Sequence, residues 1–216
     1  MVYPRSIIVY PSGACGDLLK TLCVNQLTNE SLILSDVGKV NCAKPLWDYI
    51  QQRRKIDPSQ CHAIENTHFI NAAMLEQFPH AKIYQIAIPL ERCRRIIQGF
   101  FTKLGITESS QIADWRANHP IWWRWNSDLL GRDVACYDDL LTSQMLSSYQ
   151  EMIEFSEIMG NRAAYKIEFL KILDAQHCSR IAANLLGTAL PNTELFFQQY
   201  QSWYEKNLWF IDLVTG

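Results

Sequence analysis

Ile7-Ile8-Val9-Tyr10-Pro11-Ser12-Gly13-Ala14-Cys15-Gly16-Asp17-Leu18-Leu19-Lys20-Thr21-Leu22 is the stretch that decides the fold. Its first four residues are β-branched or aromatic, the pattern of a buried strand. Pro11, Ser12, Gly13 and Gly16 break that run within a few positions. From Asp17 onward the pattern turns helical, with Leu18, Leu19, Leu22, Cys23 and Leu27 on one side. A strand that enters a helix through small residues aims several backbone N–H groups and a positive helix end at one place. That arrangement suits a phosphate or sulfate. The plain alternative is a tight strand-to-helix turn with no ligand.

Working outward, strands and helices alternate. Ser31–Ser35 reads as a second strand and Pro45–Gln52 as a helix with Pro45 in its first turn. Cys61–Glu65 reads as a strand, Asn71–Phe78 as a short helix stopped by Pro79, and Lys82–Ile88 as a strong strand. A long helix follows from Leu90 to about Lys103. The middle, about 107–135, is a helical insertion rich in tryptophan: Trp115, Trp122, Trp123 and Trp125. It packs against the domain as core, or it lines a pocket for an apolar or aromatic acceptor through residues such as Trp122 and Trp125. Beyond it come one or two helices over Asp138–Met159 and a late strand at Ala163–Phe169. A helix capped by Asp174 and ended by Gly187 follows, then one aromatic helix from about Thr193 to Trp209. The expected fold is a single α/β domain over 1–216. It is three-layered, with a mainly parallel sheet of about five strands, a phosphate-binding loop and a helical C-terminal part. Ligands of such sheets sit beyond the carboxyl ends of the strands, which makes the loops after Tyr10, near His68 and after Ile88 neighbours.

Composition bounds the function. At 216 residues and 48% hydrophobic, the chain supports one sizeable core. A net charge of −2 argues against a general nucleic-acid binder. No run of about 18 apolar residues is present, so no membrane span is expected. Met1–Arg5 leads into a strand without the apolar stretch of a signal peptide. The seven cysteines are odd in number and scattered, as in a cytoplasmic protein with reduced thiols. Cys61 and His62 match no common zinc spacing, and no metal is expected.

Several phosphate loops are excluded. No Gly-Lys-Ser/Thr follows Gly13 or Gly16, and the dinucleotide glycine pattern is incomplete. A phosphatase-type Cys15 would need an arginine where Thr21 stands. The remaining form, Tyr10-Pro11-Ser12-Gly13-Ala14-Cys15, resembles the 5′-phosphosulfate loop of the sulfotransferases, typically Tyr-Pro-Lys-Ser-Gly-Thr-Thr. Asn66-Thr67-His68-Phe69, a short helix, the strand Ile83–Ile88 and a charged helix start resemble the order in the cytosolic members. There a Lys-Thr-His-Leu segment carries the catalytic histidine. A strand ending in Arg-Asn/Asp-Pro leads into the helix whose serine binds the donor's 3′-phosphate. Tyr165–Leu170 and Asn184-Leu185-Leu186-Gly187 are similar to the family's late Tyr-Glu-Asp-Leu-Leu strand and Phe-Leu-Gly helix.

The resemblance implies a transferase that uses 3′-phosphoadenosine 5′-phosphosulfate as co-substrate and a hydroxyl or amine as acceptor, small molecule or biopolymer. It implies His68 as general base. Ser12, Gly13, Ala14, Cys15, Gly16 and Asp17 would hold the donor's 5′ end. The chain departs from the family in three places. No lysine lies between Arg5 and Lys20, the family's arginine and serine fall on Ala87 and Arg95, and its late Arg-Lys-Gly loop has no counterpart. Arg92 and Arg95 are the candidates to replace lost phosphate contacts, because guanidinium pairs with phosphate in bidentate fashion. Two alternatives stay open: a protein of the same fold that binds a nucleotide or anion without chemistry, and an atypical nucleotide-dependent phosphotransferase.

Overall fold

The computed structural model describes residues 4–27, 61–68 and 70–216. Among them the chain forms a four-stranded sheet in the order β2-β1-β3-β4, with every neighbouring pair parallel. The strands are β1 (Ser6–Val9), β2 (Ile64–Thr67), β3 (Lys82–Ala87) and β4 (Ala164–Glu168). The expected strand at 31–35 and helix at 45–52 lie outside the described residues.

Alternation along the strands builds two cores. Ile8, Ile64, Tyr84, Ile86 and Ile167 face one way, toward α1 (Gly16–Leu27), α8 (Ala175–Leu186) and α9 (Thr193–Lys206). Ile7, Val9 and Ile83 face the other, against Met74 and Leu75 of α2 (Ala72–Gln77) and Phe155 and Met159 of α6 (Tyr137–Met159). Helices on both faces of a parallel sheet are the arrangement that buries such strands twice.

A third core joins α3 (Leu90–Lys103) to the tryptophan-rich helices α4 (Ile112–Asn118) and α5 (Pro120–Leu130) and to α6. Its largest members are Phe101, Trp115 and Trp123. Short α7 (Phe169–Ile172) follows β4 directly.

Local chemistry sets the ends. Asn71 and Asp174 cap α2 and α8 by accepting from Met74 N and His177 N, each at 2.8 Å. Gly187 ends α8 in the left-handed conformation.

Two boundaries differ from the sequence expectation. The strand expected at 61–65 forms at Ile64–Thr67, because the polar Glu65 and Asn66 find buried partners and are drawn into the sheet. The single aromatic helix expected at 193–209 is two, broken at Asn207 between α9 and α10 (Leu208–Thr215). The Asn207 side-chain amide donates to Trp203 O at 2.8 Å, and this turns the chain. No helix among the described residues is long and apolar enough to cross a membrane.

Candidate functional site

The loop after β1 lies at the carboxyl end of the sheet, where β1 sits between β2 and β3. Ser12 is half-buried at its tip, and Ala14 is fully buried, its N–H closing a turn onto Pro11 O at 3.1 Å. Gly13 and Cys15 both take positive φ, +84° and +60°. For cysteine that conformation costs energy, of the order of 1 kcal/mol or more, and neighbouring contacts must hold it. The amides of Gly13, Cys15 and Gly16 meet no acceptor among the described residues. Such amides at a helix start are what a bound anion requires.

Packing explains both glycines without a ligand. A Cβ on Gly13 would lie 2.9 Å from Ile96 O and 3.2 Å from Phe100 Cβ. One on Gly16 would enter the Tyr10 ring at 2.3 Å. Tyr10 Oη donates to Asp17 Oδ1 at 2.9 Å, and Asn66 Nδ2 donates to the same oxygen at 2.6 Å. The Asp17 carboxylate therefore already offsets part of the positive end of α1. Burial pushes the Cys15 thiol up to about 11, so it is protonated at neutral pH and is not a nucleophile. Lys103, at the end of α3, acts electrostatically on Cys15 and sits with its ammonium 4.5 Å from the Phe210 ring centre; burial lowers its pKa.

Lys20 does not stand in for a loop lysine. Its ammonium lies 2.6 Å from Glu65 Oε2, and both side chains have no exposure. Glu65 also accepts from the His62 amide at 2.6 Å.

His68 follows β2 and packs its ring against Tyr10, with centres 4.4 Å apart. Its Nδ1 lies 3.0 Å from Tyr10 O. A carbonyl only accepts, so Nδ1 carries the proton and Nε2 is the basic nitrogen of the neutral ring.

His68 and Ser12 open onto one cavity of about 770 Å³. Trp122 and Trp125 of α5 line it, joined by Phe100 of α3 and His119 between α4 and α5. The tryptophans therefore divide by helical phase. Trp115 and Trp123 are core, the latter donating from Nε1 to Asp133 at 2.8 Å, while Trp122 and Trp125 face the cavity.

The opposite wall is a polar stripe of α6 that sequence reading missed: Gln144, Ser147, Glu151 and Glu154, at helical spacing. Gln144 is 3% exposed, and its Nε2 is committed to Asn126 Oδ1 at 2.7 Å, an oxygen that also accepts from Ser143. Ser147 donates to Glu151 at 2.7 Å. Burial raises the Glu151 carboxyl to about 7. No lysine or arginine is among the described residues that line the cavity.

The two arginines lie elsewhere. Arg92 Nη1 donates to Val214 O at 2.7 Å, closing the end of α10. Arg95 is half-buried and makes no ion pair or hydrogen bond among the described residues. It precedes Ile96, whose carbonyl lies against Gly13.

Compared with known proteins, the chain matches no family model, no curated protein and no solved structure.

Proposed function

We propose that the chain is a sulfotransferase-like enzyme that moves a sulfuryl group to a hydroxyl or amine of an acceptor seated in the cavity. One observation carries this reading: His68, its basic nitrogen fixed by the Tyr10 carbonyl, lines the same cavity as Ser12 of the loop and Trp122 and Trp125.

The donor, 3′-phosphoadenosine 5′-phosphosulfate, supplies an activated sulfuryl group when bound. The amides of Gly13, Cys15 and Gly16 would hold its 5′ end, with Lys103 adding positive charge and Arg95 the candidate for the 3′-phosphate. In the transfer, an acceptor oxygen bonds to sulfur as the sulfur–oxygen bond to the 5′-phosphate breaks. The electron pair leaves on the phosphate oxygen, and the acceptor proton passes to His68 Nε2. Trp122 and Trp125 hold the acceptor and exclude water from this step.

A second reading, a binding protein of the same fold without chemistry, is favoured by Lys20. Its ammonium is locked to Glu65, in a chain whose loop has no lysine of its own. Calorimetry with adenosine 3′,5′-bisphosphate, paired with transfer of labelled sulfate to phenols, alcohols, amines and sugars, separates the two. Transfer that depends on His68 supports the enzyme; bisphosphate binding with no transfer to any acceptor supports the binding protein.

A further inference from the structure

We infer that the cavity beside His68 is a subsite for an uncharged saccharide, which Trp122 and Trp125 stack and the α6 stripe hydrogen-bonds. Glu151 and Glu154 in that stripe reject anionic sugars, including a sulfated product. The sugar's role as acceptor rests on the transfer reading above; its binding does not.

A pyranose has apolar C–H faces and a rim of hydroxyls that each donate and accept. Indole faces cover the first, and neutral amides, hydroxyls and carboxylates satisfy the second. The cavity offers both, at a volume of about 770 Å³, within the range of roughly 300–1,000 Å³ typical of ligand sites.

The polar wall is built rather than incidental. Gln144 is buried, and its amide nitrogen is fixed by Asn126, which leaves the amide oxygen to meet a ligand. Asn126 is fully buried and positioned by Ser143 as well, so this corner is preorganised. Ser147 is 2% exposed and aligned by its bond to Glu151.

A flat phenol or steroid would cover the indoles and leave the Gln144 amide oxygen desolvated without a partner, at a cost of about 1–3 kcal/mol. A nucleotide or sulfated sugar would bring negative charge against Glu151 and Glu154, with no lysine or arginine among the described lining residues to offset it. A sulfate placed on the sugar beside His68 meets the same repulsion, and this favours product release.

The test uses the full chain and titration calorimetry with cellotriose, maltotriose and chitotriose, each unsulfated and with one 6-O-sulfate, and with benzylamine. We expect at least one unsulfated trisaccharide to bind at least about 10-fold more tightly than its sulfated form and than benzylamine. Trp125→Ala, a residue outside the buried core clusters, should weaken that trisaccharide by about 10-fold or more with the fold intact by circular dichroism. The double variant Glu151→Gln with Glu154→Gln should bring sulfated and unsulfated forms to within about 3-fold.

No binding of any trisaccharide, equal binding of sulfated forms by the native chain, or tighter binding of benzylamine would each overturn the inference. Adenosine 3′,5′-bisphosphate is titrated separately. Sugar binding without bisphosphate binding removes the transfer reading and keeps the subsite; the reverse removes the subsite and keeps the transfer reading.

Discussion

His68 Nδ1 lies 3.0 Å from the main-chain oxygen of Tyr10, the residue that follows the first strand and opens the loop. The bond joins the loop after β1 to the loop after β2 and fixes which imidazole nitrogen is basic. A general base contributes to the transition state more than to donor binding. His68→Ala is therefore expected to leave bisphosphate affinity within a few-fold and to cut turnover by roughly 10²–10⁴. Sulfate transfer, with binding measured alongside, checks both. A variant that turns over like the native chain removes His68 from the base's role.

Arg92 and Arg95 are one helical turn apart on α3, yet they have different partners. Arg92 closes the end of α10 through Val214 O, whereas Arg95 has no partner among the described residues. Arg92→Ala should mainly lower stability, by about 1.5–3 kcal/mol for a charged hydrogen bond, with little change in nucleotide preference. Arg95→Ala should lose preference for the bisphosphate over adenosine 5′-monophosphate by about 10-fold, with little loss of stability. Denaturant melts and competitive titrations distinguish them. Equal losses for both nucleotides in Arg95→Ala would mean general electrostatics rather than a 3′-phosphate contact.

The buried pair Lys20–Glu65 joins α1 to β2. Removing one partner leaves a charge uncompensated in the interior. Lys20→Met is therefore expected to cost about 3–5 kcal/mol in urea unfolding. Adding Glu65→Gln to Lys20→Met should recover much of that loss, because the amide oxygen still accepts from the His62 N–H, 2.6 Å from Glu65 in the native chain. A double variant no more stable than the single one would show that the pair's worth lies elsewhere than in neutralising Glu65.

Much of the parallel sheet was legible in the sequence, because strands buried on both faces leave short β-branched runs such as Ile7–Val9 and Ile83–Ile88, set between helical patterns. What escaped depends on contacts distant in sequence. Glu65 read as the last residue of its strand and Asn66 as lying beyond it; both sit inside β2, where Lys20 and Asp17 of α1 meet them. Gly13 and Gly16 read as small residues kept for a ligand's approach, whereas Ile96, Phe100 and Tyr10 fill the space a side chain at either position would take. Gly13→Val therefore tests packing as much as binding. Trp122 and Trp125 were legible as pocket candidates by type alone. Their opposite wall on α6 was not, since Gln144, Ser147, Glu151 and Glu154 look like an ordinary solvated helix face until the third core brings α5 across from them.

Glu151 gives the chain a pH dependence near neutrality. Burial raises its carboxyl from an ordinary value of 4.5 to about 7, against the opposing effect of the Ser147 hydroxyl bond; the charge of Glu154 adds to the rise. Cys93 of α3 is coupled to it, and His68 and His119 line the same cavity. An acid whose folded pKa is raised binds its proton more tightly when folded. Its contribution is fully present below pH 4.5 and is lost as pH rises through about 7. Glu151→Gln, which cannot ionise, should match the native chain in Tm at pH 4.5 and below. It should exceed the native chain by a few degrees at pH 8, at about 2–4 °C per kcal/mol for a domain of this size. Native discrimination against sulfated sugars should sharpen over the same interval, as the carboxylate gains its charge. Differential scanning calorimetry at pH 4.5, 6, 7 and 8 measures the first effect. A Tm difference that does not change with pH would mean that Glu151 is ionised throughout and that its burial carries no proton.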